Sequence, residues 1–345
     1  MSVQIGLGLF TGQVPAGSQR TFAREYREAV ELVRLAEALG FDSAWVSEHH
    51  GSSDGYLPSL LPMLAAFAAA TERLRLGTGV MLTPLHDPLR LAEDAAVVDQ
   101  LSGGRLILGL GIGWREEEFR MFGVSRGERA QRTTEMIEIL RRAWTGRRFS
   151  FEGRCFRYDR VRVTPPAAQP GGPPIFLGGY AERAVRRAGR LGHGYITDDS
   201  GLEDVRRSLS IAERGARDAG RDARSLALAI LQNVFVSRED DPWATVREGV
   251  GHQIGSYAAW DAGHDTPEHD SLEPIVGDEE ELRRWTHVGT PDVVIRALRP
   301  LVTTFADGRE LHLIVRLHYP GMDFDTASRA LELFGEDVLP ALKGA

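Results

Sequence analysis

The chain has 345 residues, 42% hydrophobic and 26% charged, a mix that suits a globular protein with one large core. Its formal net charge of −8 speaks against nucleic acid as a partner, because phosphate backbones are met by basic surfaces. A single cysteine, Cys155, excludes an internal disulfide and any multi-cysteine metal site. No apolar run reaches the roughly 18 residues of a membrane-spanning helix, and the first residues do not have the pattern of a signal peptide. The expected location is the cytoplasm, with no membrane partner.

Val3 to Phe10 alternates and then meets Thr11-Gly12, which predicts a strand. Its Gly6 and Gly8 lack the spacing of a dinucleotide-binding loop. Thr21 to Leu39 reads as a helix with Phe22, Ala29, Val30, Val33, Leu35 and Ala36 apolar, stopped by Gly40. Asp42 to Ser47 is a second strand that runs into Glu48-His49-His50. An apolar helix over Leu57 to Ala70 precedes a third strand, Arg73 to Met81, which contains Gly77-Thr78-Gly79. Pro88 opens the next helix, with Asp87 as its cap and His86 in the same arrangement. Leu106 to Gly113 is a buried strand whose far end, Gly109 to Gly113, is stripped of side chains.

Helical segments follow over Trp114 to Phe122 and Gly127 to Trp144. Residues 145–174 break the rhythm with a hairpin around Glu152-Gly153 and a proline-rich connector. Three more strands are predicted over Ile175 to Leu177, Gly194 to Thr197 and Leu226 to Val236, and an eighth over Leu311 to Leu317. Helices are expected over 181–191, 203–219, 242–257, from Pro291 onward, and over 325–342. A polar segment, about 261–281, reads as a loop or lid.

Eight strands alternating with helices predict a parallel sheet, and the absence of a break at mid-chain favours a closed (β/α)8 TIM barrel of the α/β class. The expectation is a single domain over 1–345, with insertions at about 145–174 and 259–285. In such barrels functional groups gather at strand C-terminal ends. Here those ends hold glycines, apolar groups and His49, which suits a planar organic cofactor. Gly178-Gly179-Tyr180-Ala181 lies where a strand opens a helix, so its backbone N–H groups can form an anion site. His264-Asp265 and His269-Asp270 match no metal-ligand spacing, and no metal is expected.

Together these segments resemble the bacterial luciferase-like monooxygenase family of flavin-dependent oxidoreductases. The resemblance is carried by Gly40 to His50, Pro88 to Arg105, Gly109-Leu-Gly-Ile-Gly113 with Glu118-Phe119, Pro174 to Gly179, Gly289-Thr290-Pro291 and Val338-Leu-Pro340. It implies a (β/α)8 barrel that binds reduced FMN, supplied by a separate flavin reductase. The flavin C4a carbon would react with O2, and the peroxide would oxygenate a small organic substrate. It implies proton handling by His49, a residue type that titrates near neutrality. It places Glu48, Thr78 and Gly79 beside the flavin and Arg129 at a phosphate-contacting position. Gly111 would offer bare backbone under the ring or ribityl chain, because Ile112 stands where a relative has a basic residue. The alternatives are a deazaflavin-dependent hydride-transfer oxidoreductase on the same barrel, and a non-catalytic flavin-binding protein. Glu48-His49-His50 leans towards FMN, since deazaflavin members more often carry an Asp-His turn there. The family also implies a homodimer.

Overall fold

A computed structural model describes residues 3–199, 201–261, 279–306 and 308–344. In chain order the first half holds β1 (Val3–Phe10), α1 (Phe22–Ala38), β2 (Ser43–Val46), α2 (Leu60–Ala70), β3 (Arg75–Thr78), β4 (Met81–Leu82), α3 (Pro88–Leu101), β5 (Leu106–Gly111), α4 (Glu116–Met121) and α5 (Arg129–Ala143). A hairpin of β6 (Phe149–Glu152) and β7 (Arg157–Val161) follows, then β8 (Ile175–Gly178), α6 (Glu182–Leu191), β9 (Gly194–Thr197) and α7 (Leu202–Asp218). The last part holds β10 (Ala227–Val236), α8 (Pro242–Asp261), α9 (Glu279–Arg284), β11 (Thr286–Gly289), α10 (Pro291–Phe305), β12 (Leu311–Arg316), α11 (Phe324–Leu333) and α12 (Leu339–Lys343).

Eight of these strands pair in parallel in the order β1, β2, β3, β5, β8, β9, β10, β12, and β12 returns to β1. The sheet is therefore a closed barrel, as the strand count predicts. Two short strands extend its rim: β4 pairs with the end of β5, and β11 pairs with the C-terminal half of β10. The strand β11 falls just after the expected 259–285 insertion, and its pattern, Thr-His-Val-Gly, is too short and mixed to read from sequence. The helix α8 runs to Asp261, four residues beyond the expected end. Most of the expected loop lies outside the described residues.

The helices pack around the barrel over one continuous layer of apolar side chains, including Leu60, Leu64 and Phe67 of α2. The inside of the barrel is filled by a second cluster, with Trp45 at its centre and Leu9, Ile107, Phe176, Ile196, Ala229 and Ile314 around it. The indole fits because its neighbours lack side chains. A Cβ on Gly77 would lie 2.1 Å from Trp45 Cε3, and one on Gly6 2.8 Å from Trp45 Nε1. Trp45 is thus a barrel plug, and Phe10 packs outside the barrel against Phe67 and His318.

The hairpin stays outside the barrel, where the Glu135 carboxylate of α5 accepts from the N–H groups of Arg154, Cys155 and Phe156 at 2.8, 2.9 and 3.1 Å. Near the bottom of the barrel, Lys343 Nζ donates to Gly40 O at 2.9 Å and to Asp42 at 2.8 Å. Among the described residues no helix is long and apolar enough to cross a membrane.

Candidate active site

The strand β2 points its C-terminal end into the barrel mouth and hands over to Glu48, His49 and His50. All three are buried. The chain is extended there, so the two histidines leave it in different directions. His49 Nδ1 lies 2.8 Å from Glu118 Oε1 of α4. The same oxygen accepts from His50 N–H at 3.0 Å, and the Arg115 guanidinium is 3.6 Å away. With donors on every side, this oxygen acts as the acceptor, so His49 Nδ1 carries the hydrogen and Nε2 is the nitrogen left for chemistry.

Four aromatic rings wall in His49. Tyr56 lies at 4.8 Å, Trp260 at 4.8 Å, Tyr257 at 5.3 Å and Trp114 at 6.4 Å between ring centroids. Tyr257 and Trp260 come from α8, which is pinned over the mouth by polar contacts. Asp54 accepts from Gln13 Nε2 at 2.6 Å and from His252 Nε2 at 2.8 Å, which links the loops after β1 and β2 to α8. Arg115 stacks over Trp260 at 4.2 Å and donates to His50 O at 3.0 Å. A cavity of about 790 Å³ adjoins this wall, lined in part by Asp54, His252, Trp260 and Tyr319.

Glu48 takes a different part from the one expected of a cofactor ligand. Its Oε1 accepts from His50 Nε2 at 3.1 Å and His86 Nε2 at 2.9 Å, and its Oε2 accepts from Leu82 N–H. Burial opposes its ionisation, but the charge of His86 and the hydrogen bonds from His50 and His86 outweigh it and hold the carboxyl at about 2. His86 therefore serves Glu48, while Asp87 caps α3 through the N–H groups of Leu89 and Arg90, as the sequence predicts.

Thr78 and Gly111 are likewise turned to protein partners. Thr78 Oγ1 donates to Gly109 O at 2.7 Å. The chain then bulges between β3 and β4 through a cis Gly79–Val80 peptide, and Gly79 N–H donates to Val46 O at 2.7 Å. That bulge sets Val80 over the bare end of β5. A Cβ on Gly111 would lie 2.5 Å from Val80 Cγ2, and one on Gly109 would lie 1.9 Å from Thr78 O. The expected open platform is covered, so the glycines of β5 make room for the bulge. The half-buried Val80 is the side chain set over that strand end.

The remaining candidates converge. Gly178, Gly179, Tyr180 and Ala181 lead into the ten-residue helix α6, whose first N–H groups have no intrahelical partner. Arg129 opens α5 close enough to Arg126 and Arg183 for their charges to depress its own, after burial. Its NH1 donates to Arg126 O at 2.7 Å, while the buried Nε atoms of both Arg126 and Arg129 have no acceptor among the described residues. Two orphaned guanidinium donors, a third arginine and a helix start form a cradle that fits a phosphate. Arg126 and Arg183 escape sequence reading, because single arginines on charged helices give no signal.

The luciferase-like monooxygenase family model matches residues 4–308. The chain belongs to this family. It is 32% identical to the F420-dependent glucose-6-phosphate dehydrogenase of Nocardia farcinica over 92% of this chain and 94% of that one. It is 31% identical to the protein of the same name from Nakamurella multipartita, over 92% of both. Among solved structures it is similar to the monooxygenase RslO1 from Streptomyces bottropensis, with 28% identity, a TM-score of 0.80 and 99% of both chains covered. Members of the luciferase-like family are oxidoreductases, and this chain is one of them. Among the described residues no three His, Cys, Asp or Glu side chains gather as a metal site, and His264, Asp265, His269 and Asp270 lie outside those residues.

Proposed function

We propose that the protein is a deazaflavin-dependent oxidoreductase that moves a hydride to or from a small organic substrate, with His49 handling the accompanying proton. The observation that carries this reading is the enclosed pair of His49 and Glu118, 2.8 Å apart inside four aromatic walls. Such walls keep bulk water away, so a proton exchanged with the substrate passes through the one free nitrogen of His49. Arg126, Arg129, Arg183 and the start of α6 would hold the coenzyme's phosphate, and Val80 would stand under its ring system. A bound deazaflavin supplies two-electron chemistry and little reactivity towards oxygen.

The choice of coenzyme draws on the relatives of 31% and 32% identity, both named as F420-dependent. The lean towards FMN from Glu48 loses force, because both oxygens of that residue are taken by His50, His86 and Leu82. A second reading is an FMN-dependent monooxygenase that uses O2 and a separate reductase; the likeness to RslO1 favours it.

Titration of the protein with deazaflavin, FMN and reduced FMN, followed by mixing with oxygen, separates the two. The proposal expects deazaflavin to bind at least tenfold more tightly than either form of FMN. Tight binding of reduced FMN with oxygen consumption by the complex would replace it with the monooxygenase reading.

A further inference from the structure

Three arginines of this protein are buried among the described residues: Arg115, Arg309 and Arg316. Arg115 has Glu117 at 2.9 Å, and Arg309 has Glu213 at 2.5 Å. Arg316 is 4% exposed and has no such partner among the described residues. Among the described residues no carboxylate pairs with it, and its Nε has no hydrogen-bond acceptor. Holding a charge out of water without a counter-ion is costly, and a guanidinium cannot escape by losing its proton.

Arg316 is the last residue of β12. Alternate residues of that strand, His312 and Ile314, face the barrel interior, where they meet Trp45 and its neighbours. The two-residue period sends Arg316 to the same side, one layer higher, in the mouth. Its charge is felt by the hydroxyls of Tyr56 and Tyr257, the two tyrosines that flank His49. Tyr319, His318 and Asp198 feel it as well, but Asp198 forms no ion pair with it, and its Oδ1 accepts from Tyr180 OH at 2.7 Å. The strand β12 lies four strands round the barrel from β5 and three from β8. Arg316 is therefore on another wall from the phosphate cradle at the start of α6.

We propose that Arg316 binds an oxyanion, carboxylate or phosphate, carried by the substrate, and sets that substrate against His49. The inference rests on the reading of the barrel mouth as the site of a small-molecule oxidoreductase. The guanidinium fork matches either oxyanion with two parallel hydrogen bonds. An anionic substrate would supply the counter-ion that the described residues do not, so binding and charge neutralisation coincide.

The test uses the full chain without coenzyme, in an R126Q/R129Q/R183Q background that removes the three arginines of the other anion site. Inorganic phosphate, benzoate and uncharged benzamide are titrated at constant ionic strength, with thermal midpoint and tryptophan fluorescence as readouts. Saturable binding of phosphate or benzoate, but not benzamide, is expected, and whichever anion binds identifies the oxyanion. Arg316→Met should lose at least tenfold in that affinity and should melt higher than its parent when no anion is present. If Arg316→Met does not fold, Arg316→Gln carries the same expected loss. Equal anion binding with and without the arginine, or binding of neither anion, would overturn the proposal. Coenzyme titration of Arg316→Met with Arg126, Arg129 and Arg183 intact reports separately on the functional reading. Its affinity should stay within about twofold of the parent, and a loss there as large as the anion effect would make Arg316 part of the coenzyme site.

Discussion

At the scale of single residues, the site turns on who fixes whom. His49 is the reactive candidate, and Glu118 is the residue that positions it from 69 positions away. Glu118→Ala should lower kcat about 10- to 100-fold, the size of effect seen when the partner of a working histidine is removed. Glu118→Gln, which keeps an acceptor for His49 Nδ1 and His50 N–H, should recover most of that loss. Steady-state kinetics on the two variants decide it; equal kcat in both and in the parent would remove Glu118 from this role. The histidine was legible in the sequence because it sits in a short motif at a strand end. Its glutamate was visible only as part of a neighbouring motif, since nothing local says that α4 folds back onto β2. Arg316 was invisible for a related reason: it ends a strand that reads as apolar, and its lack of an ion pair among the described residues is a tertiary fact.

At the scale of elements, the alternation of strands and helices was readable nearly throughout, because buried parallel strands are short apolar runs between amphipathic helices. The misses lie at the rim. The strand β4 carries only two residues, and β11, Thr-His-Val-Gly, has no apolar run to mark it. Glycines were harder to interpret than strands. Those in β5 read as an invitation to a ligand, yet they accommodate Thr78 O and Val80. Those facing Trp45 serve a similar end, which gives a test of the plug. Gly77→Ala places a Cβ 2.1 Å from the indole and should cost about 3 kcal/mol in urea unfolding. Combining it with Trp45→Leu should cost less than the sum of the two single changes, because the smaller side chain leaves room for the methyl. Strict additivity would place the strain elsewhere.

At the scale of the molecule, buried ionisable groups set how stability responds to acid. Glu48 is held at about 2 against an ordinary 4.5, so the stability it contributes is present above 4.5 and is lost as pH falls towards 2. His318, desolvated and near Arg20, is pushed down from 6.5 to about 4, so the folded state also loses ground as pH falls from 6.5 to 4. Burial disfavours the charged form of His86, but Glu48 raises it overall. Its contribution is complete below 6.5 and fades as pH rises through its folded value. Urea midpoints should therefore fall steadily below about pH 6. Glu48→Gln should flatten the part of that slope between about 4.5 and 2; an unchanged slope would show that Glu48 titrates alike in both states.

Lys343 has a practical consequence. It is the only lysine in the sequence, and its amine sits beside Gly40 and Asp42, where β2 begins. Every cationic side chain proposed to bind a ligand is an arginine, which amine-reactive esters leave alone. A dye, a bead or a sensor surface coupled through the lysine side chain would attach at the base of the barrel. Molecules held through that one side chain would share an orientation, with the end that holds His49 and Arg316 facing the liquid and open to whatever flows past.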